Sequence, residues 1–112
     1  MDQTILIITH CPDQVCAHTL AQDLVTHHLA ACVNIGSSVT SIFLWQDKLE
    51  QTQEIPLFIK TQKQYYAKIE AWLDKHHPYE VPEIIALPIT DGLPAYLRWI
   101  KDSVLYNQTS SV

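Results

Sequence analysis

Basic residues are scarce in this sequence. Seven Lys or Arg stand against twelve Asp or Glu in 112 residues, for a formal charge of −5, and Arg98 is the only arginine. Phosphate backbones are held by clustered Lys and Arg, so nucleic acid is excluded as an expected partner, and an anionic membrane surface with it. Glycine is rarer still, with two in the chain, while 47% of residues are hydrophobic. That composition is neither disordered nor fibrous. No apolar run approaches the roughly 20 residues that span a bilayer. Met1-Asp2-Gln3 lacks the basic opening of a signal peptide, so a cytoplasmic location is expected. Cys11, Cys16 and Cys32 are odd in number and show no zinc-type spacing, which predicts reduced thiols. The length fits one domain over residues 1–112, with its core at about 4–104.

What is present reads as alternating strands and helices. Thr4-Ile5-Leu6-Ile7-Ile8-Thr9 is an unbroken, β-branched apolar run, the mark of a strand buried on both faces. Asp13 is a helix N-cap candidate, and Ala17, Leu20, Ala21, Leu24 and His28 recur at helical spacing, predicting a helix over about 13–29. A strand at 31–35 breaks at Gly36-Ser37-Ser38 and resumes over 39–45, as one long strand with a bend. Gln46-Asp47-Lys48 carries turn chemistry, and the strand over about 49–61 places Ile55, Leu57 and Ile59 on one face. Pro56 cannot donate to a ladder, so its nitrogen should face an edge, a bulge or a gap. Tyr66, Ile69, Trp72, Leu73 and His76 keep a helical period over about 63–76, stopped by Pro78. A second doubly apolar strand covers 84–89, a helix opens at Pro94, and the polar tail 107–112 is expected to fray.

The order β-α-β-β-α-β plus a terminal helix predicts an α+β, ferredoxin-like split βαβ sandwich. In that topology the last strand lies at a sheet edge, yet 84–89 is apolar on both faces. An exposed apolar edge invites pairing with another chain, which predicts an oligomer closed edge to edge.

Function has to come from side chains, because this fold carries many activities. The first strand has no ring to stack RNA bases, the thiols of Cys11 and Cys16 stand too far apart in sequence for a C-x-x-C chaperone pair, and Arg98 is not in a phosphate loop. No Ser–His–Asp order, Gly-rich phosphate loop or H-E-x-x-H motif suggests catalysis, so a non-enzyme is expected. Histidine and cysteine remain. His76-His77 closes the second helix, where a cation meets the negative end of the helix dipole, and adjacent imidazoles there form half of a metal site. Cys11, beside His10, is the chemical candidate for a third ligand. His27-His28 reads as a helix-end pair, Cys16 and Cys32 as small core residues, and Trp72 and Trp99 as packing anchors. Trp45, at a strand end beside a turn, is expected to be exposed or at a subunit contact. Glu54, Glu83 and Lys60 are candidates to line a polar pocket.

Several stretches together resemble the CutA family, the divalent-cation tolerance proteins. They are Leu29-Ala30-Ala31-Cys32-Val33-Asn34, Trp45-Gln46-Asp47-Lys48-Leu49-Glu50 with Glu54, Lys60-Thr61, His76-His77-Pro78-Tyr79-Glu80-Val81-Pro82-Glu83-Ile84 with Leu87-Pro88-Ile89, and Tyr96-Leu97-Arg98-Trp99-Ile100. The resemblance implies a ferredoxin-like protomer in a homotrimer built by strand pairing between subunits, similar to the PII signalling trimers. It implies copper tolerance and weak Cu(II) binding, with no tightly held cofactor, through His76, His77 and a strand-one cysteine. The aligned strand-one position here holds Thr9, and the nearest thiol is Cys11, two residues or about 6–7 Å further on. Asp47 stands where the family usually has Gly. The PII likeness implies an alternative, a small-ligand sensor with an inter-subunit cleft at Trp45, Lys60, Tyr79 and Glu83. Sedimentation should return a mass three times that of the chain; a monomer at micromolar concentration would contradict the edge-pairing argument.

Overall fold

A computed structural model describes residues 3–110, with side chains through Leu105. In chain order it contains β1 (Thr4–Cys11), α1 (Gln14–Thr26), β2 (Cys32–Ile35), β3 (Val39–Trp45), β4 (Lys48–Gln62), one 3₁₀ turn (Lys63–Tyr65), α2 (Tyr66–His76), β5 (Ile85–Pro88) and α3 (Pro94–Ser110). The sheet runs β2-β4-β1-β5, with β3 also paired to β4, and every pairing is antiparallel. This is the expected split βαβ order, with the first strand central and β5 at the edge.

The core follows the strand alternation. Ile5, Ile7 and Cys11 of β1 and Ile55, Leu57 and Ile59 of β4 are buried with Ala17, Leu20 and Leu24 of α1 and Ile69 and Leu73 of α2. Ile100 and Val104 of α3 join the same cluster. α1 starts as expected, with the Asp13 carboxylate accepting the Cys16 N–H at 2.8 Å. It stops earlier than 29. His28 takes a left-handed φ of 58°, and the Leu29 and Ala30 N–H groups both return to the Leu24 carbonyl, at 3.0 and 3.2 Å. Such a reversal satisfies carbonyls that the helix end would leave open.

β4 explains the broken second strand. Residues 57–60 pair with β2 and residues 48–54 with β3, so both shorter strands share one long partner. The Pro56 carbonyl accepts the Gly36 N–H at 2.9 Å. In an antiparallel strand a residue's N and C=O point to the same side, so the Pro56 nitrogen faces the Gly36-Ser37-Ser38 gap. Beyond it, β3 and β4 continue as a two-stranded arm closed by Gln46 (φ 51°) and Asp47 (φ 67°). Two consecutive left-handed residues make the type I′ turn that suits strand twist, and Asp tolerates that conformation.

β1 is longer than expected, reaching Cys11 opposite Ile55. The extension places Cys11 wholly inside, while Cys16 and Cys32 are half-buried, which reverses the expected assignment of core thiols. Trp99 is likewise half exposed at 47% rather than a packing anchor. The polar tail falls partly on the α3 backbone, which continues to Ser110, and partly on 111–112, outside the described residues.

Thr9 lies on the buried face of β1, and its hydroxyl has no hydrogen-bond partner among the described residues. An unmet buried hydroxyl costs about 1–3 kcal/mol. Thr9→Val keeps the shape and removes the hydroxyl, so it should raise the free energy of chemical unfolding, by about 1 kcal/mol; a lowered value would show that the hydroxyl is satisfied.

Candidate functional site

The C-terminal end of β1, the middle of β4 and the segment after α2 meet at one corner. Extended pairing brings this about: His10 sits opposite Pro56, so the outward side chains of His10 and Glu54 flank the same stretch of ladder. The His10 Nδ1 lies 3.1 Å from a Glu83 carboxyl oxygen and 4.0 Å from one of Glu54. Glu54 is 8% exposed, an unusual burial for a carboxyl group.

His77 ties the loop after α2 to this corner. Its Nε2–H donates to the His10 carbonyl at 2.7 Å, and its Nδ1 accepts the Tyr79 N–H at 3.2 Å. Both partners are backbone groups with fixed roles, so the tautomer is set and neither ring nitrogen keeps a free lone pair. Burial pushes the His77 imidazole below its ordinary 6.5, against the opposing pull of the His10 carbonyl and Glu54. Burial also pushes the Tyr79 hydroxyl up to about 12, reinforced by its hydrogen bond to Glu54. Tyr79 and His77 rings touch, with centroids 4.8 Å apart.

His10, Glu54, Tyr79 and Glu83 line one side of a cavity of about 910 Å³. Phe43 and Trp45 of the arm form its apolar wall, and Glu50, Glu54, Glu80 and Glu83 give it acid on several sides. Among the described residues, His10 is its single nitrogen base, and no Lys or Arg lines it.

Of the residues expected in a cleft, Trp45, Tyr79 and Glu83 meet here and Lys60 does not. Lys60 lies against α3 instead, its Nζ donating to the Tyr96 hydroxyl at 3.2 Å and lying 5.5 Å from that ring's centroid. The strand period explains the separation. Lys60 is six residues along β4 from Glu54, about 20 Å at strand rise. The expected metal set is also divided. His76 is exposed and stacked on Trp72 at 4.3 Å, its Nδ1–H donating to the Trp72 carbonyl at 2.8 Å, which leaves Nε2 as its free donor to a cation. Cys11 is buried, and burial, followed by Cys16, Asp13 and Glu54, pushes its thiol up to about 12. Among the described residues no three His, Cys, Asp or Glu side chains are grouped to hold a metal ion. The His10–Glu54–Glu83 contact was missed because a strand ending at residue 9 puts His10 in a loop.

The family model described as CutA1 divalent ion tolerance protein matches residues 5–103. The chain belongs to the CutA1 family. It is 41% identical to a divalent-cation tolerance protein CutA of Thermus thermophilus over 103 residues, 92% of this chain and 98% of that one. It is 44% identical to a CutA homolog of Xenopus laevis over 94 residues, 84% of this chain and 62% of the longer relative. The crystal structure of CutA1 from the psychrotrophic bacterium Shewanella sp. SIB1 superposes with a TM-score of 0.87 at 47% identity, covering 89% of this chain and 94% of that one. CutA1 membership agrees with the expected ferredoxin-like fold, and no described helix is long and apolar enough to cross a membrane.

His77 makes this CutA1 chain sensitive to acid. A histidine held below its ordinary pKa in the folded state contributes stability that is whole above about pH 6.5 and lost as the pH falls below it. Urea melts at a series of pH values should show this loss for the wild type. His77→Gln, which keeps a donor, should flatten it; an unchanged slope would place the acid sensitivity elsewhere.

Proposed function

We propose that this protein is a homotrimeric, non-catalytic metal-tolerance protein of the cytoplasm, and that its acidic cavity takes up divalent cations, Cu(II) among them. One observation carries the reading: four glutamates and one imidazole line the cavity, and among the described residues no Lys or Arg balances them. Glu54 is buried while Glu50, Glu80 and Glu83 are exposed around it, and a buried carboxyl group among acidic neighbours is electrostatically incomplete without a cation, which a divalent ion would supply. Imidazole beside carboxylate favours copper over calcium or magnesium by ligand softness. No three described side chains are grouped as a complete ligand set, so His10 and Glu83, 3.1 Å apart, would supply the first contacts, with water or a neighbouring subunit filling the remaining positions. The relatives named for divalent-cation tolerance support the same class of ligand.

His76 offers a second, exposed contact for copper through Nε2, whereas His77 would have to surrender two hydrogen bonds to ligate. Cys11 would have to be deprotonated inside the core, against its raised pKa. Both are weaker candidates than their sequence positions suggest. A nucleotide or other anion, the alternative ligand, finds no positive side chain in the cavity.

The trimer is supported by what a single chain leaves bare. Ile42, Phe43, Leu44, Trp45 and Leu49 of the arm are exposed, as are Ile85 and Leu87 of the edge strand. A lone two-stranded hairpin is marginal in water, and burying these side chains between subunits gains about 25 cal/mol per Å².

Calorimetric titration of Cu(II) into the intact protein tests the site. Glu83→Gln and His10→Ala should each weaken binding about tenfold or more, and His76→Ala should weaken it less. Loss of binding in the His76→Ala, His77→Ala double variant, with Glu83→Gln and His10→Ala unaffected, would move the site to the end of α2. Unchanged affinity in all of them would remove it from both places.

A further inference from the structure

The corner between β1 and α1 holds two of the three cysteines. Cys11 is the last residue of β1 and Cys16 stands in the first turn of α1, with Pro12 and Asp13 turning the chain between them. Asp13 is extended (φ −154°, ψ 173°), and its carboxylate holds the Cys16 N–H at 2.8 Å, which fixes where that turn begins. Cys11 belongs to the buried core cluster, and the half-buried Cys16 packs against the same cluster. Only Pro12, Asp13, Gln14 and Val15 separate the two cysteines, and both pack on that one cluster where β1 hands over to α1. Cys32 is no competitor. It lies in β2, separated from β1 by β4, with its thiol toward Asn34 at 4.0 Å.

We propose that Cys11 and Cys16 form a reversible intrachain disulfide when the protein meets a hydroperoxide. Exposure sets the order of events. Cys16 is the thiol an oxidant can reach, and Cys11 is sealed. The Cys16 sulfur attacks the outer oxygen of the peroxide, giving the sulfenic acid and releasing water or an alcohol. The Cys11 sulfur then attacks the Cys16 sulfur. The S–S bond forms, the S–O bond breaks, and the departing hydroxyl takes the Cys11 proton and leaves as water. Two electrons pass from the thiols to the peroxide, and a dithiol reductant returns them.

Cys11 resolves slowly. Burial keeps it a thiol at neutral pH, and the thiolate is the reactive form, so closure is expected over a longer time than for an exposed pair. The inference is independent of metal binding, since it requires neither His10 nor the glutamates.

The experiment exposes the full-length, metal-free chain to hydrogen peroxide, quenches it, alkylates it under denaturing conditions and measures the intact mass. The wild type should lose two of its three alkylatable thiols and two hydrogens, both restored by dithiothreitol. Cys32→Ser should still form the bridge, with no free thiol left. Cys16→Ser, at a half-buried position, should give no bridge while keeping its thermal melt, which makes it the deciding variant in place of the buried Cys11. Three free thiols after peroxide, a bridge that includes Cys32, a bridge between chains on a non-reducing gel, or arrest at a Cys16 sulfur oxide would each overturn the proposal.

Discussion

The missing N–H of Pro56 shapes the rest of the molecule. β4 is a long strand flanked by β1 on one side, and its other side would accept one continuous partner if every residue could donate. At Pro56 it cannot. The neighbouring chain breaks at Gly36-Ser37-Ser38, and what would be a single strand becomes β2, which stays in the sheet, and β3, which leaves with the first half of β4. Gly36 is required at that break, because a Cβ there would lie 2.8 Å from the Pro56 ring. The arm carries Phe43 and Trp45 outward to wall the cavity, so a single absent donor separates the part of the protein that packs on the core from the exposed arm.

Burial and charge oppose each other at the corner where β1 ends. Glu54 is nearly enclosed, yet what stands beside it is the Tyr79 hydroxyl and the His10 imidazole rather than, among the described residues, an arginine or lysine. Tyr79 and His77 are held in their neutral forms by the same burial, which lets each donate one hydrogen bond of fixed direction. The His77 ring joins strand and loop as a backbone group would, with one donor and one acceptor used. Its sequence position, beside His76 at a helix end, gives no hint of this division of labour.

Local pattern made the topology legible. The doubly apolar runs, the Asp13 cap, the Gln46-Asp47 turn and the Pro56 gap are each decided by residues within a few positions of one another, and each appears where those residues place it. Resemblance to the CutA family, carried by the segment from His76 to Glu83 and the Trp45 turn, located the family for the same reason. The site was less legible. Whether Lys60 or His10 reaches Glu54 depends on how far β1 extends and on which face each side chain takes, and a strand end is the least certain feature of any sequence pattern. Leu29 illustrates the same difficulty: its spacing fits the helix, but the left-handed His28 turns it back onto Leu24.

The edge strand has a further consequence. The Ile89 N–H reaches the Thr4 carbonyl at 3.0 Å, so Ile5 and Pro88 form a non-hydrogen-bonded pair and the Pro88 nitrogen points outward. A guest ribbon arriving along β5 therefore meets a rim with one donor removed and few amides left to grip. It can dock briefly but not run on, which favours a ring that shuts upon itself and denies the template that endless fibrils need.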